Sequence, residues 1–184
     1  VLSPLFLATA IAIRLNSSGP IFFRQIRIGR GQDPFTIIKF RTMVPDAEER
    51  KAEVAHLNAH FGLGDARMFK IPDDPRQTTV GRVLRKNSID KFPQLWNVLQ
   101  GEMSLVGPRP ERPVFVERLE MALPDYSGRL AVRPGVTGLA QVQLPPDTDF
   151  DSVRRKLAYD LSYVDRASFK LDLLLIIATG IVMV

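Results

Sequence analysis

Apolar residues gather at the two ends of this 184-residue chain, in segments 2–13 and 171–184. Neither run reaches the roughly 20 residues that a helix needs to cross a bilayer. Each end, over the residues given, reads as a helix that packs into a core or meets a membrane. Amphipathicity does not separate those two fates, so both readings stand for the C-terminal run. The first run opens on Ser3 and Pro4. Proline removes a backbone donor and bends any helix continuing upstream. That segment reads as half of a helix that dips into the membrane and returns, or as a buried core helix. The chain starts Val1-Leu2-Ser3-Pro4 and stops inside an apolar run, so we expect a fragment cut through its first helix, about residues 1–15.

Between these ends the composition is that of one globular domain, with 45% hydrophobic residues. Lys and Arg number 25 against 20 Asp and Glu, a net charge of +5. Such a balance favours anionic partners: nucleic acid, a membrane face or phosphorylated substrates. There is no cysteine, which excludes disulfides and thiolate metal sites. The two histidines, His56 and His60, stand four apart with no third ligand nearby in the sequence, and read as a solvated helix face.

Hydrophobic spacing and turn residues predict helices over 5–15, 46–60, 80–86, 87–101, 111–123, 153–164 and 169–184. Two runs rich in β-formers, 22–28 and 35–40, flank a Gly-Arg-Gly-Gln-Asp-Pro turn and predict a β-hairpin. The fold class is therefore α/β, mainly helical with a small antiparallel hairpin, and not a doubly wound nucleotide-binding sheet, whose strand–helix alternation and glycine fingerprint are missing. Over 87–101, Ile89, Phe92, Leu95, Trp96 and Leu99 form an apolar stripe, while Asp90, Gln94 and Asn97 fall at i, i+4 and i+7 on another face. Gly101 is placed to end that helix.

Cationic side chains recur beside turns, among them Arg24, Arg27, Lys39, Arg41, Arg85, Arg109, Arg129 and Arg133. Guanidinium forks bind phosphate oxygens bidentately, although any one of these residues can equally be a solvated surface charge. Arg109 stands apart because Pro108 and Pro110 restrict its backbone on both sides. Asp90 reads either as a helix cap or as a carboxylate kept ionised at a helix start, available as a nucleophile or magnesium ligand.

The string Arg85-Lys86-Asn87-Ser88-Ile89-Asp90-Lys91-Phe92-Pro93-Gln94-Leu95-Trp96-Asn97-Val98-Leu99, followed by Gly101-Glu102-Met103-Ser104-Leu105-Val106-Gly107-Pro108-Arg109-Pro110, resembles the bacterial sugar transferases. These are monotopic phosphoglycosyl transferases acting on polyprenyl phosphate. Lys39-Phe40-Arg41-Thr42-Met43, Asp74-Pro75-Arg76, the run from Arg133-Pro134-Gly135 to Gln141-Val142, Lys156-Leu157-Ala158-Tyr159-Asp160 and the opening Ser3-Pro4 match that family too, in order along the chain.

The resemblance implies one catalytic domain over 1–184, with an N-terminal re-entrant membrane helix, interfacial amphipathic helices and an active site on the cytoplasmic face of the inner membrane. It implies transfer of a sugar-1-phosphate from a UDP-sugar to polyprenyl (undecaprenyl) phosphate through an aspartyl-phosphosugar on Asp90, with Mg²⁺ as cofactor held by Asp90 and UMP as product. Such chemistry initiates polysaccharide and glycoconjugate assembly. Arg109 takes the place of the family's substrate-binding arginine. Gln94 and Asn97 match positions on the same helix, and Arg27, Lys39, Arg41, Arg85 and Arg133 complete the candidate substrate-binding set. A homo-oligomer is compatible with this reading.

One position departs from the family. A glutamate there follows the catalytic aspartate, and here Asp90 is followed by Lys91. Lysine cannot ligate Mg²⁺ or close a capping box with Ser88. The chain then retains activity through Asp90, uses another acid such as Glu102, or is a degenerate, membrane-anchored binding module. A nucleic-acid-binding role is disfavoured, since no reader motif or basic-aromatic alternation accompanies the charge.

Overall fold

Strands β1 (Phe22–Ile28) and β2 (Pro34–Phe40) pair as the antiparallel hairpin that the turn residues predict. In its turn Gly31 and Gln32 both take positive φ, and Gly29 N–H donates to Asp33 O at 2.8 Å. The computed structural model describes residues 3–58, 71, 73–145 and 149–182. They divide into two compact units, Val1–Phe23 with Ile38–Pro93, and Arg24–Ile37 with Gln94–Val184.

In the first unit, helix α1 (Ser3–Asn16) and helix α2 (Thr79–Lys86) meet around Ile13, Phe40 and Leu84, with Phe6, Val80 and Ile89 against them. Asn16 Oδ1 accepts from Val80 N–H at 3.1 Å, and Thr78 caps α2 by accepting from Gly81 N–H at 2.9 Å. Gly81 is required by contact rather than by φ. A methyl group there would overlap the Thr42 carbonyl, whose oxygen accepts from Thr78 N–H. Outward from α1 stand Leu7, Ile11 and Leu15.

The helix expected over 46–60 does not form within the described residues. Its place is taken by turns and two 3-10 segments, Glu49–Lys51 and Ala55–Leu57; His56 is exposed on the second, and His60 lies outside the described residues. The reason is local competition. Arg76 Nη1 takes the Ala47 carbonyl at 2.8 Å, the acceptor an α-helix would offer to Lys51, and Lys51 N–H turns to Glu48 O instead.

The second unit holds α3 (Gln94–Leu99), β3 (Ser104–Val106), α4 (Pro113–Ala122), β4 (Gly135–Thr137), α5 (Leu139–Gln143), α6 (Phe150–Arg166) and α7 (Phe169–Val182). β3 and β4 pair in parallel, Ser104 opposite Gly135 and Val106 opposite Thr137. Helix α6 starts on a capping box between Asp149 and Ser152. Val116, Leu119, Leu123, Tyr126 and Leu157 make one core cluster; Val106, Tyr163 and Leu175 make another. Helix α7 buries Leu175 but exposes Phe169, Leu173, Leu174, Ile176 and Ile177. Among the described residues no helix is long and apolar enough to cross a membrane.

The single helix expected over 87–101 is interrupted. Asn87 ends α2, Ser88 turns left-handed at φ 55°, Ile89–Lys91 form one 3-10 turn, and α3 begins only after Pro93. A proline inside that run removes an N–H and restricts the residue before it, so the helix restarts behind it. Gly101 does end α3, at φ 78°.

Candidate active site

The left-handed Ser88 sets the local geometry of the first unit's candidate residues. That conformation costs about 1–2 kcal/mol for a residue with a side chain. It is held by Ser88 N–H on Arg85 O at 3.1 Å and by Lys91 N–H on Ser88 O at 3.2 Å. The chain reverses after α2 and places Asp90 at the centre of a tight turn, 8% exposed. Lys91 Nζ sits 3.2 Å from Asp90 Oδ1 and 3.3 Å from Ser88 Oγ. Asp90 also acts on Arg85, where desolvation lowers the guanidinium pKa and the Asp90 and Asp74 carboxylates oppose it. Arg85 Nε donates to Thr42 Oγ1 at 2.8 Å. The unit thus collects a carboxylate, an ammonium and a guanidinium. The expectation that Asp90 stands at an α-helix N-terminus is corrected here, because Asp90 lies in a 3-10 turn and α3 begins four residues later.

Two other basic candidates of this unit are built differently. Arg41 is buried and gives its N–H groups to the Pro20, Ser17 and Met43 carbonyls and to Ser17 Oγ. Lys39 is half-buried on β2. Sequence reasoning passed over the role of Asp74 and Arg76, a buried bidentate pair at 2.6 and 2.9 Å. The short Asp-Pro-Arg spacing was its only signal.

In the second unit, α3 inverts the expected amphipathicity. Gln94 and Asn97 are buried, while Trp96 and Leu99 are exposed. Asn97 Nδ2 donates to Thr36 O at 2.8 Å and to Glu102 Oε2 at 2.7 Å, and the Asn97 carbonyl accepts from Glu102 and Met103 N–H. These bonds decide which face turns inward, because a buried amide must be satisfied. They also occupy Glu102, the alternative acid.

Arg109 follows β3 on the Pro108–Pro110 turn, half-buried between two buried prolines. Its guanidinium makes no hydrogen bond or ion pair among the described residues. Arg27, on β1, contacts Pro110 O at 3.0 Å and Glu111 at 3.5 Å. Burial lowers the Arg27 pKa, Glu111 opposes the shift, and Arg109 and Arg112 reinforce it. Arg27 thus pairs with Glu111 while Arg109 and Arg112 add like charge around it, an electropositive setting suited to phosphate oxygens. Arg133 is exposed, with Nη2 near Gly101.

The chain matches the model of the bacterial sugar transferases over residues 1–184. It belongs to that family. The transferase chain is 42% identical over 177 residues to the UDP-N-acetylgalactosamine-undecaprenyl-phosphate N-acetylgalactosaminephosphotransferase of Aeromonas hydrophila, covering 96% of this chain and 38% of that protein. It is 42% identical over 179 residues to the UDP-glucose:undecaprenyl-phosphate glucose-1-phosphate transferase of Caulobacter vibrioides, covering 96% and 61%. It is 38% identical over 178 residues to an exopolysaccharide production protein of Sinorhizobium fredii, covering 97% and 76%. The chain thus spans between about two fifths and three quarters of the length of these three proteins.

Magnesium, which the family resemblance implies, fits this transferase chain poorly as a protein-built site. The carboxylate meant to hold the ion already carries an ammonium at 3.2 Å, and a charged lysine has no lone pair to offer.

Proposed function

We propose that this chain transfers a sugar-1-phosphate from a UDP-sugar to polyprenyl (undecaprenyl) phosphate in two displacements at phosphorus. An Asp90 oxygen attacks the β-phosphorus, the bond from that phosphorus to the bridging oxygen breaks, and UMP leaves with the electron pair. A phosphate oxygen of the lipid then attacks the same phosphorus, the acyl phosphate bond breaks, Asp90 is regenerated, and polyprenyl diphosphosugar departs. Lys91 and Arg85 offset the charge that returns to the Asp90 carboxylate as the acyl phosphate bond breaks, and Arg109 grips a substrate phosphate. The observation that carries the reading is a buried carboxylate fixed by a strained turn beside two cationic side chains, in a chain matching the family throughout.

The lipid substrate requires work at a membrane. The exposed apolar residues of α1 and α7 support an interfacial placement, with α1 as part of a re-entrant helix on the cytoplasmic face of the inner membrane. Release of UMP from UDP-glucose, UDP-galactose and UDP-N-acetylgalactosamine with undecaprenyl phosphate in detergent tests the reaction. Release that requires the lipid phosphate and vanishes in Asp90→Asn supports it; no release from any donor contradicts it. A non-catalytic binding module is the second reading, favoured by the Lys91 ammonium lying on the Asp90 carboxylate.

A further inference from the structure

Every carbonyl from Pro108 to Glu111 is held. Gly135 N–H donates to Pro108 O at 2.9 Å, Arg129 Nη2 to Arg109 O at 2.8 Å, Arg27 Nη1 to Pro110 O at 3.0 Å, and Ile28 N–H to Glu111 O at 3.0 Å. Two of these donors are backbone amides and two are guanidinium groups. The Arg129 bond is the more elaborate. Arg129 is buried beneath the turn, with Nη1 donating to Tyr126 Oη at 2.6 Å and the guanidinium carbon 5.1 Å from the Tyr126 ring. Its charge is met by Asp160 of α6, Nη2 to Oδ2 at 2.7 Å, with both side chains under 5% exposed. One turn further along α6, Tyr163 Oη donates to Asp172 Oδ1 at 2.8 Å and lies 3.2 Å from Val106 O, on the strand that leads into the same turn.

Burying an ion pair costs desolvation that its attraction often fails to recover, and apolar residues of similar volume commonly serve stability as well. No apolar side chain, however, can donate to the Arg109 carbonyl. We propose that Asp160 and Arg129 are positioning residues for Arg109. Asp160 fixes Arg129, and Arg129 fixes the peptide from which the Arg109 side chain departs, so that its guanidinium is aimed before substrate arrives. The proposal rests on the reading of Arg109 as the group that grips phosphate. Reacting geometry is sensitive here, since misplacing a binding group by about 1 Å costs on the order of 100-fold in rate.

A double-mutant cycle on the full chain tests it, read as kcat/KM for UMP release with whichever of the three UDP-sugars the wild type uses, well below the melting temperature of each variant. Asp160→Asn and Arg129→Lys should each lower kcat/KM by about 10- to 100-fold, and Asp160→Glu should recover part of the loss. In an Arg109→Ala background Asp160→Asn should add less than about twofold, because the residue to be aimed is gone. Leu157→Ala, a core truncation on the same helix, should lower the melting temperature yet keep kcat/KM within about twofold. Independent, multiplying losses in the cycle, or an equal loss in Leu157→Ala, would overturn the proposal. If the wild type releases no UMP, the phosphotransfer reading fails by itself. Positioning is then read from amide exchange at Gly135: faster exchange in both Asp160→Asn and Arg129→Lys supports it, and unchanged exchange sinks it.

Discussion

Asp90 and Lys91 form an ion pair between adjacent residues within a single 3-10 turn. While the ammonium lies on Oδ1, that oxygen is a weaker nucleophile, so Lys91 trades reactivity for charge neutralisation. Lys91→Glu is expected to raise UMP release several-fold; unchanged or lower turnover would show that the position gains nothing from a carboxylate. Elsewhere in the same unit, the Arg76 hydrogen bonds hold the Asp74 carboxyl below its usual pKa, against the opposing effect of burial. A carboxyl whose folded pKa is depressed contributes stability that is present above its unfolded pKa of about 3.9 and is lost as pH falls through the folded value. Melting temperatures followed down from pH 7 should therefore drop below about pH 4 in the wild type. Asp74→Asn should start about 3 kcal/mol less stable and lose less over that interval. Parallel acid profiles for the two proteins would remove the pair from the account.

At the scale of elements, the outcome turned on who takes the backbone carbonyls. The hairpin, α1, α2, α4, α6 and α7 were legible because spacing, capping and turn residues agreed with one another. The segment 46–58 carried good helix formers, but Arg76 captured the Ala47 acceptor. Strands β3 and β4 have three residues each, too few for any periodicity to show. Helix α3 turned its amide face inward because Asn97 had partners waiting at Thr36 and Glu102, a tertiary fact absent from the helical wheel. Asp160 did leave a trace, since it continues the spacing of Val153 and Leu157 along the apolar stripe of α6. A carboxylate on such a stripe calls for a buried cation, which is Arg129. Of the candidate site, the residue types were legible and their settings were not. Arg41 and Asn97 spend hydrogen bonds on backbone, whereas Arg109 keeps its guanidinium clear. Glycine gives a sharp check of this scale. Gly81→Ala in an exposed helix would stabilise by nearly 1 kcal/mol; against the Thr42 carbonyl it should instead destabilise by about 1–3 kcal/mol in urea unfolding. A stabilised variant would contradict the packing described here.

For the molecule as a whole, the family match runs from end to end, and the two features that composition left unassigned, a net charge of +5 and apolar outer faces, both suit an anionic lipid surface. Flotation with phosphatidylglycerol vesicles should carry the protein upward. Replacing Leu173, Leu174 and Ile177 together by serine should weaken binding by about tenfold or more; undiminished flotation would place the lipid contact elsewhere. The central claim, however, is covalent. Brief incubation with a radiolabelled UDP-sugar in the absence of lipid, followed by acid quench and peptide mapping, should leave the phosphosugar on the peptide carrying Asp90 and none on Asp90→Asn. Label that is missing from the wild type, or that persists in Asp90→Asn, would contradict the account.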